Sequence, residues 1–341
     1  MGSDSRRRPL PSLAMVLTVR DQERFLAANL AYHRAMGVSR AYVFLDRCTD
    51  ASPRIAQSFP WVRTLDHDRR PDDTFTRTYQ SRCADMALEL ARTEGFEWLM
   101  FVDPDEFAFG QWLPGRLRRL AERRPWRRKP RPEVVGSLPR MLERVGPTTE
   151  QVRMPPKEVV PTPLAEGEPF WKLHYFQDRG VLERPILVPT TGEIRRLNRW
   201  IGYRRNAKSI VRTSADVRAA DSHRWTRSQS IADAKTDDIP TEYHGSVYHF
   251  VVVNAAHWRE KYLKVADLPN HWLTGRPVQF PKQAWKEASL LLSEAEARAY
   301  YDRWIVFHPR QLLWPRLRGH VVHSTVVETV VAGHSPSRAW A

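Results

Sequence analysis

Leu13–Val19 (LAMVLTV) is seven apolar or near-apolar residues in a row, the pattern of a strand buried on both faces. From Glu23 to Met36 the spacing becomes helical: Phe25, Leu26, Leu30, His33 and Met36 fall on roughly one face, and Gly37 is a stop signal. Ala41–Leu45 (AYVFL) reads as the next strand. Thr78–Glu94 sets Tyr79, Cys83, Met86, Ala87 and Leu90 at helical spacing and stops at Gly95, and Trp98–Val102 (WLMFV) is a further strand. This alternation over the first 110 residues predicts an α/β fold, a Rossmann-like and mostly parallel sheet flanked by helices and joined by right-handed crossovers.

Beyond that point the periodicity weakens. Residues 125–169 are rich in Pro and charge and read as long loops or an insertion. Strand-like pieces return at Val181–Val188, Ser209–Thr213 and Val247–Val253 (VYHFVVV). The last third reads as helical and Trp-rich: Ser293 with Glu296 predicts a capping box for a helix running to about Phe307, and His320–Ala332 reads as a buried terminal element. There is no internal repeat. No run approaches the ~20 apolar residues of a membrane span, and Ala14–Val19 is too short for a signal-peptide core.

Charge changes the picture. The 341 residues carry 54 Lys and Arg against 39 Asp and Glu, a formal net charge of +15. Such an excess points to an anionic partner. Its location narrows the choice: residues 116–131 (RLRRLAERRPWRRKPR) hold nine basic residues against one acid, Glu122. A solvated helix followed by a Pro-broken loop is the plain reading of that run, and peripheral contact with anionic membrane or a charged acceptor is the sharper one. Nucleic acid is disfavoured, because only Trp126 interleaves the charges. Two cysteines, Cys48 and Cys83, are too few for a disulfide framework or a thiolate zinc site, which fits a cytoplasmic protein.

The candidate chemistry lies at the strand ends. Val19 leads through Arg20 to Asp21, Leu45 is followed by Asp46, and Val102 is followed by Asp103, Pro104, Asp105 and Glu106. In open α/β sheets ligands bind beyond the carboxyl ends of the strands. Three carboxylates in four residues repel one another unless a cation offsets them. A hard divalent ion sharing its shell with substrate phosphates is one such cation. In an extended chain Asp103 and Asp105 would point the same way.

With these residues in view, the chain resembles glycosyltransferases of the family 2 type, close to the subgroup related to family 92. The group's N-terminal motifs have counterparts in Arg20-Asp21-Gln22, in His33-Arg34-Ala35-Met36-Gly37 and in Asp46-Arg47-Cys48-Thr49-Asp50. Its Trp…Asp-x-Asp-Glu-Phe signature is intact from Trp98 to Phe107. A Lys-Ser-Ile-x-Arg element matches Lys208 to Arg212 with His223 downstream, and a late His-Tyr-x-x-Lys-Ser element followed by Lys matches His249-Phe250, Asn254 and Lys261. Asp21-Gln22 replaces the group's Asn-Glu, and Val253 stands where its Lys would be.

The resemblance implies the fold called GT-A over residues 12–262, with a nucleotide-sugar half at 12–110, the basic Pro-rich insertion at 114–169, an acceptor half at 170–262 and a helical extension at 263–341. It implies sugar transfer from a nucleotide-diphosphate donor, UDP-linked by expectation, to a glycan, lipid-linked or other hydroxyl acceptor, with inversion. Asp103 and Asp105 would hold Mn²⁺ or Mg²⁺, with His223 or His249 completing its shell. Asp21, Asp46 and Asp103 would meet the nucleotide-sugar, and Lys208 and Arg212 its diphosphate. An inverting transfer also needs a carboxylate base, for which Asp178, Glu183, Glu193 and Asp221 are all open.

Two rivals belong to other classes. A strand followed by Asp-x-Asp also opens haloacid-dehalogenase-like phosphatase sites, but Phe107 stands where those carry Thr or Val. A non-enzymatic basic-surface binding protein would be indifferent to loss of Asp105.

Overall fold

The computed structural model describes residues 9–70, 76–112, 134–165, 167–178, 182–197, 207–221, 224–227, 239–264 and 280–333. The chain divides into two compact units, Met1–Pro156 with Arg204–Val247 and Val330–Ala341, and Lys157–Tyr203 with Tyr248–Thr329. The basic run 116–131 and His223 lie outside the described residues.

In chain order the elements are β1 Leu13–Val19, α1 Glu23–Ala35, β2 Arg40–Leu45, α2 Ser52–Gln57, β3 Val62–Asp66, α3 Thr76–Thr93, β4 Trp98–Phe101, β5 Glu106–Trp112, β6 Val134–Gly136, α4 Leu138–Leu142, β7 Gln151–Met154, β8 Pro156–Val159, β9 Tyr175–Gln177, β10 Arg184–Leu187 and β11 Ile194–Leu197. Then follow β12 Lys208–Arg212, β13 Arg218–Asp221, β14 Arg224–Thr226, β15 Thr241–Tyr243, β16 Ser246–His249, α5 Ala255–Lys264, α6 Phe280–Leu291, α7 Glu294–Trp304, α8 Leu313–Leu317, β17 Val321–His323 and α9 Val326–Gly333.

The first unit is built on a seven-stranded sheet in the order β15-β7-β12-β4-β1-β2-β3. β4, β1, β2 and β3 are parallel neighbours, as the alternating pattern predicts. β1 lies in their midst with all seven residues buried, which explains its unbroken apolar run. The chain goes from β1 outward through β2 to β3, then returns across β1 to form β4, so the strand order reverses between β1 and β4. β12 and β7 enter antiparallel beside β4.

Helix α3 covers this sheet with Tyr79, Cys83, Ala84, Ala87, Leu88 and Ala91 against Val16, Phe44, Leu99 and Phe101. Met86, expected on the buried face, is exposed instead. Tyr79, Cys83 and Ala87 are buried as read, and Ala84, Leu88 and Ala91 widen that face. Gly37 ends α1 with φ of +96°, and a Cβ there would lie 2.7 Å from Cδ of Pro139 in α4, so a turn and a close approach both require glycine.

The stretch 125–169, read as loops or an insertion, contains β6, α4, β7 and β8 in its described part. β7 is an edge-type sequence (QVRM) that pairs with β12 and β15. Its pairing is non-local, so local composition does not announce it.

In the second unit β8, β9 and β17 pair antiparallel, and β10 pairs with β11. The predicted capping box of α7 is present: the Glu296 amide donates to Ser293 Oγ, and the Ser293 amide to Glu296 Oε2. Trp258 of α5 stacks on Tyr300 of α7 at 5.7 Å, and Tyr262 meets Trp285 of α6 edge-on at 5.4 Å. Arg184 donates to the carbonyls of Trp304 and Arg303 at 2.8 Å, closing the C-terminus of α7. The VYHFVVV strand stops at His249; Phe250 to Val253 are buried without strand pairing. His320–Ala332 comprises β17 and α9 rather than one element.

Candidate functional site

Because β4, β1 and β2 are parallel, their carboxyl ends share one edge of the sheet, and Asp103, Asp21 and Asp46 stand at that edge. The reversal of strand order between β1 and β4 places the crevice there.

The Asp-Pro-Asp-Glu segment is a turn, not an extended chain. The Glu106 amide donates to the Asp103 carbonyl at 3.0 Å. Asp103 takes the first position and Pro104 the second, where its fixed φ suits a β-turn. This corrects the expectation that an extended backbone aims Asp103 and Asp105 alike. Glu106 folds back so that its Oε2 accepts from the Asp103 amide at 2.8 Å.

The cation offsetting this acidic turn is a lysine. β12 runs antiparallel to β4 with Ser209 opposite Phe101, which brings Lys208 to the end of β4. Its Nζ lies 2.6 Å from Asp103 Oδ2 and 3.1 Å from Glu106 Oε2, and the side chain is fully buried. Burial alone would lower the lysine pKa; the carboxylates of Asp103 and Glu106 outweigh it and hold the ammonium above the ordinary lysine range. Lys208 therefore has partners other than the diphosphate that the resemblance implies.

Asp103 Oδ1 is buried and accepts no hydrogen bond. Asp105 and Glu106 are buried as well. Among the described residues no three His, Cys, Asp or Glu side chains gather in the manner of an all-protein metal cage. Mg²⁺ and Mn²⁺ sites that handle nucleotides need fewer: one or two carboxylates suffice when phosphates and waters supply the rest. The orphaned Oδ1 fits that kind of site.

Helix α1 holds the turn from beneath. Asn29 is fully buried, and its Nδ2 donates to the carbonyls of Glu106 at 2.7 Å, Pro104 at 3.0 Å and Asp103 at 3.4 Å. His33, one helical turn on, fixes that amide. The Ala108 amide donates to His33 Nε2 at 3.1 Å, so Nε2 is unprotonated and Nδ1 carries the hydrogen. Nδ1 then donates toward the Asn29 carbonyl and Oδ1, each at 3.0 Å. Burial drives the His33 pKa down from 6.5 to about 4, so the ring is neutral at neutral pH. The sequence contained a signal for Asn29: two polar residues four apart on the buried face of an amphipathic helix.

The other strand-end acids are engaged in holding loops. Asp21, with φ of +49°, accepts from the Thr49 amide at 2.7 Å and the Thr49 hydroxyl at 3.1 Å. Asp50 accepts from the amides of Glu23 and Ser52, which laces the β1–α1 loop to the β2–α2 loop. Asp46 is buried and forks with Arg69, whose Nε donates to Oδ1 at 2.7 Å and whose Nη2 donates to Oδ2. Arg69 in turn lies over the Tyr79 ring at 4.8 Å. Arg212 donates to the carbonyls of Thr149 and Gly146 and lies 4.2 Å over Trp98, so its charge is satisfied within the unit.

His249 belongs to the second unit, where its Nδ1 lies 2.8 Å from Glu158 Oε2. Of the four open base candidates, three carry ion pairs: Asp178 with Lys157 at 3.3 Å, Glu193 with Arg195 at 2.6 Å and Asp221 with Arg224 at 2.8 Å. Arg195 holds Glu193 below the usual carboxylate range. Glu183 is exposed and has no ion-pair partner among the described residues.

No family model matches the chain, and no curated protein does. Solved structures do. Glucosyl-3-phosphoglycerate synthase from Mycobacterium tuberculosis, in complex with phosphoglyceric acid, matches at 13% identity and a TM-score of 0.29 over 60% of this chain; the chain spans 57% of that synthase's length. A mycobacterial protein matches at 13% identity and 0.33, covering 75% of this chain and 74% of its own. A 4-diphosphocytidyl-2C-methyl-D-erythritol synthase from Anaerococcus prevotii matches at 6% identity and 0.27, covering 83% and 97%. Likeness at these scores carries no weight for function.

Proposed function

We propose that the protein is a metal-dependent transferase acting on a nucleotide-diphosphate sugar, with a hydroxyl group of a glycan or other molecule as acceptor. The observation that carries the reading is the buried, unpartnered Oδ1 of Asp103, set on a rigid acidic turn at the strand-order reversal between β1 and β4. Carboxylate-bearing turns at such reversals are where α/β sheets take nucleotides.

In this reading Asp103 and Asp105 would hold Mn²⁺ or Mg²⁺, which when bound supplies positive charge to the diphosphate leaving group. The chain's own residues keep that place prepared. Lys208 lies between Asp103 Oδ2 and Glu106 Oε2 and offsets the repulsion between the two carboxyl groups. Asn29 and His33 fix the turn's backbone, so Asp103 need not reorganise on binding, the condition under which electrostatic stabilisation is most effective. Asp21 and Asp46 shape the nucleoside side through the Thr49 loop and Arg69.

Release of nucleoside diphosphate from a panel of UDP-, GDP- and dTDP-sugars, with Mn²⁺ and a mixture of sugar and glycerol acceptors, tests the reading. Turnover with at least one donor, lost in Asp105→Asn while the melting temperature is kept, is expected. Metal-independent turnover, or none with any donor, overturns it.

A further inference from the structure

The second unit carries a surface that the chemistry above does not use. Helix α8 buries none of its side chains. Leu313 is 55% exposed, Trp314 68% and Leu317 67%. Leu313 and Leu317, four residues apart, share a face with Trp314 beside them. Single exposed apolar residues are ordinary, but three large ones within five residues form a patch. Most of its charged neighbours are basic, with Glu183 the one acid in the wall of the adjoining cavity. Arg310, Arg316 and Arg318 are all exposed, and from Arg303 to Val327 the sequence holds four Arg and three His with no Asp or Glu. A cavity of about 340 Å³ opens beside the patch, with Trp314, Arg318 and His320 among its walls.

We propose that α8 and its flanking arginines dock on the surface of an anionic bilayer. Leu313, Trp314 and Leu317 would enter the headgroup boundary, where Trp is favoured, and the guanidinium groups would take headgroup phosphates. Two arguments select lipid over a protein partner. One Trp and two Leu present only a few hundred Å², short of the ~1,000 Å² of a specific protein interface. A bilayer takes a small apolar patch when charge supports it, and needs no matching shape. The inference does not depend on the nucleotide-sugar reading.

Flotation of the full-length chain with vesicles tests it, using phosphatidylcholine alone and phosphatidylcholine mixed equally with phosphatidylglycerol. The protein should float with the anionic vesicles, not with phosphatidylcholine alone, and should detach as salt rises. Leu313→Ser/Trp314→Ser/Leu317→Ser and, separately, Arg310→Gln/Arg316→Gln/Arg318→Gln should each lower partitioning at least about tenfold, since each arginine near an anionic surface counts several-fold. Melting temperatures should not move, because all six side chains are exposed. Failure of the wild-type protein to float overturns the proposal and leaves the patch to an acidic protein partner. Flotation unchanged in both variants also overturns it, by assigning the contact to another surface.

Discussion

His33 makes the scaffold under the acidic turn sensitive to pH in a direction that can be worked out. Its ring is wholly buried, accepts from Ala108 and donates toward Asn29, and its pKa falls from 6.5 to about 4. A histidine whose folded pKa is depressed contributes its full stability above the unfolded pKa and loses it as pH falls toward the folded one. The shift of about 2.5 units corresponds to about 3.4 kcal/mol at most. Of this, about 2 kcal/mol is lost by pH 5 and about 3 kcal/mol by pH 4. Protonation also removes the acceptor for the Ala108 amide, so the turn's support weakens with the fold. Asp85 opposes the trend: burial raises its pKa to about 6, so its penalty is relieved as pH falls. A wild-type profile alone therefore mixes the two. His33→Gln keeps a polar side chain and removes the titration while leaving Asp85 in place. Urea unfolding of both proteins at pH 8 and pH 5 isolates the histidine. The stability difference, wild type minus variant, should shrink by about 2 kcal/mol at pH 5. Parallel profiles would refute the assignment of a neutral, locked imidazole.

Two further substitutions probe the same turn. Lys208→Met should cost about 3–5 kcal/mol in urea unfolding at neutral pH, because Glu106 and Asp103 are left without their cation; Lys208→Met/Glu106→Gln should recover part of that loss. Asn29→Ala leaves the Pro104 and Glu106 carbonyls without their donor, so it should destabilise by about 2–4 kcal/mol and weaken Mn²⁺ binding measured by electron paramagnetic resonance. A Leu88→Ala core variant of similar instability should bind Mn²⁺ normally.

The parallel half of the sheet was legible because β1, β2 and β4 are buried on both faces and α1 and α3 keep helical spacing over several turns. β3 (VRTLD) and β7 were not, since neither has an apolar run of its own and each forms by pairing with a strand already in place. The site was legible in part. The strand-end positions of Asp21, Asp46 and Asp103 could be read from the sequence, because a parallel sheet brings those ends together. Their partners could not. Lys208 meets Asp103 across 105 positions of chain, and Asn29 meets Glu106 across 77. The sequence shows that a cluster of carboxylates needs a cation; only the antiparallel entry of β12 shows that the first such cation is Lys208. The Pro104 turn likewise needed three dimensions, because the alternation expected of an extended chain holds only until proline bends it.

The most direct measurement of the central claim is the thermal stability of the full-length protein with UDP and other nucleoside diphosphates, in the presence of Mn²⁺ and again with chelator. Saturation near one hundred times Kd adds about 2.7 kcal/mol to the folded state. Stabilisation of that order with one diphosphate and Mn²⁺, abolished by chelator and by Asp103→Asn, is the predicted result. No stabilisation by any nucleoside diphosphate with Mn²⁺ or Mg²⁺, or equal stabilisation in Asp103→Asn, would contradict it.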